Sequence, residues 1–310
     1  MKTLGLDLGG TKIAAAIVED GVVLEHSARP TPQSGFEAVL ASLVSASREL
    51  LARHPEVRAL GIGSPGPLDL QRGLVLFAPN IAGMTDAPIR ERLEAALGLR
   101  VVLENDANAA GYAEHRYGAA RDFSSSVFVT ISTGIGGGLF VGDAVIHGAT
   151  GAAGEVGHMT LLPGGPLCGC GHHGCWEALA SGRAIAREAS FSYGTALSTQ
   201  EVFARARAGE ARALAAVERA ADFTGLGLAN LLKLFDPDGF VIGGGLSQVG
   251  AFYLERVRVA AERYAQGFPS VEIRRALLGA AAGVIGAAAV AARAETQPET
   301  QPETQAGSSG

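Results

Sequence analysis

Two stretches of the chain show the same succession of apolar and glycine-rich segments. The first is "LGLDLGG" from Leu4, followed by "TKIAAAIVEDGVVLEH", and the second is "SVFVTISTGIGGGLFVGDAVIHG" at 126–148. Each has an apolar strand, a tight glycine turn, a second strand, a turn that pairs Gly with Asp, and a third strand. The pattern therefore predicts antiparallel hairpins in two related sheets, so that one architectural unit is present twice.

Amphipathic helices and buried strands alternate over the remaining sequence. "RALGIGS" and "RVVLEN" are apolar runs typical of buried strands, and they flank "DAPIRERLEAALG", a predicted helix with Asp86 as N-cap and Gly98 just past its end. Ser198 and Glu201 have capping-box spacing, and 210–235 has the periodicity of a long helix. A last strand, "DGFVIGGGL", precedes another helix. The alternation predicts an α/β fold with two related halves.

Composition narrows the classes of function. The 310 residues are 47% hydrophobic and 18% charged, which suits a globular protein long enough for two domains around a cleft. The formal net charge of -6 lacks the basic excess that binds phosphate backbones, so nucleic acid is not an expected partner. No secretion signal begins the chain, and we expect a cytoplasmic protein.

Two segments near the C-terminus need separate interpretation. "ALLGAAAGVIGAAAVAA" at 276–292 carries no charge, but Ala and Gly contribute little transfer energy. We therefore predict a core helix that packs closely at its glycines, and no membrane span. The last residues, 295–310, repeat a polar tetrad that contains Pro, and they are predicted to form a disordered tail.

The first glycine turn, "GLDLGGTK", has the residues of a phosphate-binding turn. Asp7 lies between apolar strand residues and needs a cation or donors to replace its hydration. Gly9 and Gly10 let the backbone approach an anion, while Thr11 and Lys12 add a hydroxyl and a positive charge. The stretch is neither a Walker motif nor GxGxxG, and taken alone it is explained equally well as a strand-connecting turn.

Two further glycine runs strengthen the nucleotide interpretation. "STGIGGG" begins at Ser132 within the second repeat, and "GGGLS" begins at Gly243, where it follows a buried strand and opens a helix. Turns of this kind are typical of a site that grips phosphates from two sides and leaves bare backbone for an adenosine. The predicted nucleotide residues of the two runs are Thr133, Gly134, Gly136, Gly137, Gly244 and Gly245.

All three cysteines lie between Cys168 and Cys175, a concentration that indicates metal binding. A disulfide is not expected in the cytosol, whereas three thiolates and one imidazole complete a tetrahedral zinc site. His158, His172 and His173 compete for the nitrogen position. The alternative is three reduced thiols in a glycine-rich loop. A site with four protein ligands has no open position, so the metal would be structural and not a Lewis acid.

The stretch "VVLENDANAAGYAEH" offers the candidate catalytic carboxylate. A buried strand ends near Leu103, three polar residues follow, and an Ala-rich helix begins. Asp106 is either the N-cap of that helix or a base that accepts the proton of a hydroxyl during phosphoryl transfer. Glu104, the competing carboxylate, should point to the opposite face of the strand.

Seven short motifs in order resemble the ROK family of sugar kinases and related sugar-responsive repressors. They are "DLGGTK", "GSPGPLD", "APN", "ENDANAA", "STGIGGG", "EVGH" and "CGCGHHGCWE", and the likeness extends from about Gly5 to about Gly286. The resemblance implies an actin-like ATPase fold of the hexokinase or RNase H type, with two α/β domains around a cleft. We expect a small domain at 1–108 completed by a C-terminal helix at about 279–294, and a large domain at 109–278 with a zinc loop at 158–177.

The resemblance also implies roles for single residues. Asp106 matches the family's catalytic base, and the zinc pattern HxxxxxxxxxCxCxxxxC favours His158 as the fourth ligand. At Met84 the sequence departs from the family, which usually has an aromatic residue there. The implied zinc ligands are His158, Cys168, Cys170 and Cys175, and the implied sugar-binding residues are Gly66, Asn80, Asn105, Asp106, Glu155, His158 and Glu177.

The activity implied by the resemblance is transfer of the γ-phosphoryl group of ATP, bound with Mg²⁺, to the 6-hydroxyl of glucose. N-acetylmannosamine, N-acetylglucosamine and fructose are alternative substrates, and ADP or polyphosphate are alternative donors. A repressor would carry an N-terminal helix-turn-helix domain, whereas the first strand here begins near residue 3. A filament-forming relative would not need the "END" motif or the cysteine cluster. The family implies a dimer or tetramer.

Overall fold

The computed structural model describes residues 1–78, 80–270 and 272–296. Within these residues the chain forms two five-stranded sheets, a small three-stranded sheet and helices packed around them. The mixed α/β class predicted from the alternation of patterns is therefore confirmed.

The first sheet contains the first predicted repeat. Its strand order is β3-β2-β1-β4-β8, in which β1, β2 and β3 are antiparallel neighbours while β4 and β8 run parallel to β1. The parallel strands end at one edge, so that Asp7 of β1 pairs with Gly63 of β4 and Ser64 pairs with Asn105 of β8. The strands are β1 (Lys2–Leu8), β2 (Lys12–Glu19), β3 (Val22–Pro30), β4 (Ala59–Ser64) and β8 (Arg100–Asn105).

The second sheet has the same topology. Its order is β11-β10-β9-β12-β13, with antiparallel β9, β10 and β11 and with β12 and β13 parallel to β9. The three-strand repeat predicted from the glycine-turn pattern is thus confirmed, whereas the prediction of "DGFVIGGGL" as the last strand is wrong, because β13 follows it. The strands are β9 (Ser125–Ile131), β10 (Ile135–Val141), β11 (Ala144–Val145), β12 (Gly239–Gly243) and β13 (Ile273–Arg275).

A third, antiparallel sheet was not predicted, because its strands are too short to show an alternating pattern. It consists of β5 (Leu68–Asp69), β6 (Leu74–Phe77) and β7 (Thr85–Ala87). The prediction of Asp86 as a helix N-cap is wrong. Asp86 lies in β7 with φ 46°, and Pro88 precedes the helix instead. An N-cap residue needs an extended backbone, which a left-handed residue does not have.

The structure contains a helix in each region where the sequence predicted one. The capping box of Ser198 and Glu201 forms, and Gly98 ends its helix in the left-handed conformation with φ 66°. The helices are α1 (Phe36–Leu51), α2 (Ile89–Leu97), α3 (Asp106–Tyr117), α4 (Trp176–Ala180), α5 (Gly182–Tyr193), α6 (Thr199–Arg207), α7 (Ala211–Phe235), α8 (Gly244–Ser247), α9 (Ala251–Tyr264) and α10 (Ala282–Thr296).

Each five-stranded sheet has its own hydrophobic core. The first core joins β1, β2, β4 and β8 to the apolar faces of α1 and α2. The second joins β9 and β12 to α5, α6, α7 and α9, with Trp176 fully buried in it. Two separate cores leave a cleft between the sheets.

Helix α10 packs backbone to backbone against β1, β4 and α3. A Cβ atom at Gly5 would lie 2.0 Å from the carbonyl oxygen of Val284, and one at Gly61 would lie 1.7 Å from that of Ala287. A Cβ at Gly286 would lie 1.6 Å from the carbonyl oxygen of Ala109 in α3. The predicted core helix is confirmed. Glycine is required at Gly286 of the helix, and at Gly5 and Gly61 of the strands, because a Cβ at any of the three would collide with backbone.

No helix in the described part of the chain is long and apolar enough to span a membrane. The predicted disordered tail begins at Glu295, but Glu295 and Thr296 are the last two residues of α10, so the prediction is wrong for these two. The remainder of that prediction, 297–310, lies outside the described residues.

Gly61→Ala should destabilise the protein, because the added Cβ would meet backbone that cannot rotate away. We expect the free energy of unfolding to fall by about 1–3 kcal/mol, the usual cost of overpacking a core. Urea unfolding followed by circular dichroism measures it. Ala41→Ser, which adds one atom at an exposed position of α1, is the matched control and should cost at most about 0.5 kcal/mol, because Ser has a lower helix propensity than Ala. Equal midpoints for both variants would contradict the close contact.

Candidate active site

A cavity of about 680 Å³ opens between the two five-stranded sheets. Its walls are the ends of β1 and β8, the start of α3, the two later glycine turns and the loop before His158. Most of the residues predicted for a nucleotide or sugar site line it. They are Asp7, Gly66, Asn105, Asp106, Thr133, Gly134, Gly136, Gly137, Glu155, Glu177, Gly244 and Gly245.

Asp106 is the first residue of α3 and lies at the base of this cavity. The helix is capped by its neighbour Asn105, whose Oδ1 accepts hydrogen bonds from the N–H groups of Ala107 (2.9 Å) and Asn108 (3.2 Å). Asp106 itself accepts one hydrogen bond, from Ala107 at 2.8 Å through Oδ1. The alternative that Asp106 is the N-cap is therefore wrong, and its carboxylate is directed to the cavity.

Burial and a neighbouring carboxylate raise the pKa of both Asp106 and Asp7. Burial raises the pKa of Asp106, and the negative charge of Glu155 raises it further, against the opposing hydrogen bond from Ala107. Burial and the charge of Asp106 raise the pKa of Asp7 to about 6, while Lys12 opposes the shift. A cation bound at Asp7 would offset the cost of its burial and the repulsion from Asp106, so Asp7 has the chemistry of a divalent-cation ligand.

Glu104 points away from this cavity, as predicted from strand alternation. Its Oε1 accepts hydrogen bonds from the N–H of Asn105 at 2.8 Å and from Nδ2 of Asn108 at 3.0 Å. Its Oε2 lies 2.7 Å from Nε2 of His147. Glu104 and His147 line a second cavity of about 930 Å³ on the other face of β8.

The first glycine turn lies beside the cavity and does not line it, apart from Asp7. The N–H of Gly9 donates to the carbonyl of Lys12 at 2.9 Å, and Thr11 and Lys12 are exposed. A Cβ at Gly10 would lie 3.1 Å from Cβ of Asn80, so this turn packs on the turn that contains Asn80. Neither Asn80 nor the turn residues 9–12 reach the cavity wall in this conformation.

The second glycine turn is fixed by Glu177. The N–H of Ile135 donates to Oε2 of Glu177 at 2.9 Å, and a Cβ at Gly134 would lie 2.3 Å from the same oxygen. Glu177 belongs to α4, directly after the cysteine cluster. Its carboxylate therefore joins the cysteine loop to the turn predicted to bind phosphates.

The three cysteines and His158 converge on one point. One ligand atom from each of the four residues lies within 4.8 Å of all the others. Sγ of Cys168 is 3.7 Å from Nδ1 of His158, and Sγ of Cys170 is 3.6 Å from Sγ of Cys175. Atoms bound at about 2.3 Å to one tetrahedral centre lie about 3.8 Å apart, so the cluster fits a zinc ion.

The rival histidines are differently placed. Nδ1 of His172 is 3.6 Å from Sγ of Cys170, and Nδ1 of His173 is 2.9 Å from the carbonyl oxygen of Gly165. His158 has its Nε2 4.0 Å from Glu155 on the cavity side. One nitrogen of His158 thus faces the thiols and the other faces Glu155, but His158, predicted to bind sugar, does not itself line the cavity.

Several residues of the cavity wall were not predicted from the sequence. Asn108 and Ser132 contribute polar groups, Gly154 borders Glu155, and Gly283 lies against the carboxylate of Asp7. A Cβ at Gly283 would lie 2.5 Å from Oδ2 of Asp7. The helical pattern of 276–292 gave a core helix but no signal that its start reaches the cleft.

Comparison with known proteins finds relatives that match nearly the whole chain. A glucokinase of Streptomyces coelicolor is 39% identical over 310 residues, covering 93% of this chain and 97% of that protein. An N-acetylmannosamine kinase of Haemophilus influenzae is 37% identical over 292 residues, covering 93% of this chain and 94% of that protein. Both similarities extend across both sheets.

Solved structures show the same likeness in three dimensions. A ROK hexokinase from Thermus thermophilus superposes with a TM-score of 0.90 at 48% identity, covering 96% of this chain and 99% of the other. A ROK family glucokinase from Streptomyces griseus in complex with glucose and AMPPNP gives a TM-score of 0.82 at 37% identity, covering 94% and 100%. These neighbours confirm the actin-like ATPase fold. The ROK family sequence model matches residues 3–294, and the chain belongs to the ROK family.

Proposed function

We propose that this protein is an ATP-dependent hexose kinase that phosphorylates the 6-hydroxyl of glucose. The observation that carries the proposal is Asp106, a buried carboxylate with a raised pKa at the base of a cleft whose walls include two glycine turns. The relatives named glucokinase and the neighbour bound to glucose and AMPPNP support the same substrates.

Asp106 acts as the general base. Its carboxylate accepts the proton of the 6-hydroxyl while that oxygen attacks the γ-phosphorus, and the bond between the γ-phosphorus and the bridging oxygen of ADP breaks. A carboxylate with a raised pKa is a stronger base, and it accepts a proton most effectively when its pKa lies near the operating pH. Asp7 would hold the Mg²⁺ that accompanies ATP, and the ion when bound would neutralise charge on the phosphates.

The glycine turns bind the nucleotide. The backbone N–H groups around Gly134, Gly136 and Gly137 face the phosphates, where they balance charge that develops during transfer. Gly244 and Gly245 leave room for the adenosine. Gly9, Gly10, Thr11 and Lys12 complete the phosphate site once the first turn approaches the nucleotide, a step that accompanies closure of the cleft around ATP.

The sugar lies on the side of Asn105, Glu155 and His158. Since Oδ1 of Asn105 caps α3, Asn105 binds a hydroxyl through its Nδ2 donor. His158 donates from Nε2, and Glu155 accepts beside it. The remaining proposed sugar contacts are Oε1 of Glu177, the backbone of Gly66, and Asn80.

We propose that the cluster of His158, Cys168, Cys170 and Cys175 holds a structural zinc ion. The loop at 158–177 is rich in glycine and loses much conformational entropy when it is ordered. Metal binding offsets this loss and fixes His158 and Glu177 relative to the cleft.

N-acetylmannosamine is the second candidate substrate, favoured by the relative of that name. N-acetylglucosamine and fructose complete the set, because a few hydrogen bonds decide between such sugars. We further propose a cytoplasmic homodimer or homotetramer that does not bind nucleic acid.

Turnover on a panel of sugars tests the function. With ATP and Mg²⁺, we expect glucose to give the highest kcat/KM in a coupled assay of ADP release. The panel contains glucose, N-acetylmannosamine, N-acetylglucosamine and fructose, each also assayed with ADP and with polyphosphate as donor. Preference for N-acetylmannosamine would select the second candidate, and no ADP release with any sugar would reject the kinase proposal.

Asp106→Asn should separate catalysis from binding. The amide keeps the shape of the side chain but cannot accept the proton, so we expect kcat to fall by about 10²–10⁴-fold. Glucose binding measured by calorimetry should persist. Asp20→Asn, the same change in the exposed turn between β2 and β3, is the control and should retain wild-type turnover. Turnover near wild type in Asp106→Asn would remove this residue from the base role.

The zinc proposal is tested with two histidine variants. We expect about one zinc per chain by atomic emission, loss of the metal in His158→Asn, and retention of it in His172→Asn. His158→Asn should also melt at a lower temperature, because the glycine-rich loop loses its crosslink. Loss of zinc from His172→Asn with retention in His158→Asn would exchange the two assignments.

A further inference from the structure

A buried carboxylate lies behind the catalytic residues, on the face of β8 opposite the cleft. Glu104 is 1% exposed, yet none of the roles described above uses it. Its two oxygens accept from Asn105, Asn108 and His147 at 2.8, 3.0 and 2.7 Å. An ionised carboxylate is buried at acceptable cost only where donors replace water, and these three groups supply that replacement.

The three donors belong to different parts of the fold. Asn105 ends β8 and caps α3, and Asn108 lies in the first turn of α3. His147 follows β11 in the second sheet. Glu104 thus fixes both ends of the junction that carries Asp106, and His147 ties this junction to the second sheet.

The same segment leads to the sugar side of the cleft. Seven residues after His147, Gly154 precedes Glu155, and the N–H of Ala153 donates to the carbonyl of His147 at 3.0 Å. Asn108, whose Nδ2 binds Glu104, directs its Oδ1 toward Gly138 and Gly154, where a Cβ would lie 2.8 and 3.4 Å away. That oxygen is buried without a hydrogen-bond partner in the described residues.

We propose that His147 and Glu104 are positioning residues, which hold Asn105 and Asp106 in register with the loop that carries Glu155. The inference rests on the proposed kinase function, since it concerns how the base is aligned with the sugar. The hydrogen bond between His147 and Glu104 links the base on the first sheet to the sugar loop on the second. Losing it lets the two halves shift, and small misplacement of a base costs turnover.

His147 acts from outside the reacting groups. It lines the second cavity and is absent from the wall of the cleft, so it does not touch substrate. Its side chain is 29% exposed, and a substitution there need not leave a void in a core. Replacing it should therefore change kcat more than the KM for ATP, whose site lies on the far side of the cleft.

Three variants of His147 test the role by rescue. His147→Leu removes the donor, and His147→Gln keeps an amide donor within reach of Glu104. His147→Asn carries the same amide on a side chain one methylene shorter than that of Gln, so its donor falls short of Glu104. We expect kcat for glucose to fall on the order of tenfold or more in the Leu and Asn variants, and to stay within about threefold of wild type in the Gln variant. The KM for ATP should change less than about threefold.

His54→Leu is the matched control, because it removes a similar bond to a glutamate far from the cleft. Nε2 of His54 lies 3.0 Å from Oε2 of Glu25, and neither residue lines the cleft. This variant should keep wild-type kcat. If His147→Leu does not fold by circular dichroism, His147→Asn carries the comparison.

The outcomes distinguish failure of the positioning role from failure of the proposed kinase function. A wild type that phosphorylates glucose, with Leu and Asn variants equal to it, rejects only the positioning role. A Gln variant as slow as the Leu variant also rejects it, because the hydrogen bond would then not be what matters. A wild type that phosphorylates no sugar overturns the kinase proposal and this inference with it.

Discussion

The close backbone contact of α10 with α3, β1 and β4 determines how near the catalytic helix comes to the first sheet. Gly286 lets α10 meet the carbonyl of Ala109, while Gly5 and Gly61 let the same helix meet the strands. Side chains at these glycines would hold α10 farther from the strands of the first sheet. Helix α3 would move with α10, because α3 packs on α10 more extensively than on either sheet. Asp106 is the first residue of α3, so the position of this proposed base depends on the contact.

That placement buries carboxylates close to one another, which makes their ionised forms less stable. Asp7, Asp106 and Glu155 are brought to one cavity, where burial and mutual repulsion raise the pKa of Asp106 and of Asp7. Such an arrangement destabilises the ionised apoprotein, yet it favours binding of a cation and acceptance of a proton. The carboxylates at the cleft therefore lower the stability of the protein but provide groups suited to phosphoryl transfer.

The sequence predicted the features that local patterns encode. The strand and glycine-turn repeat, the capping box at Ser198 and the convergence of the cysteines each depend on neighbours within a short stretch. The structure differed where adjacent residues suit the same role equally well, and where strands are too short to leave a pattern. Asn105 and Asp106 are both good caps, and Glu104, which binds the N–H of Asn105, is part of what decides between them. The small sheet at 68–87 is formed by tertiary pairing of strands too short to show a period.

The repeated units also show why topology alone does not assign function. Both sheets have a glycine turn at the same place, but only the second turn lines the cleft in this conformation. In the second turn the N–H of Ile135 is directed outward to Glu177, which is held by α4 behind the cysteines. Both turns also have an internal hydrogen bond, from the N–H of Gly9 to Lys12 and from the N–H of Ser132 to Gly134, each at 2.9 Å. The carboxylate of Glu177, which directly follows the cysteine cluster, therefore distinguishes the second turn from the first.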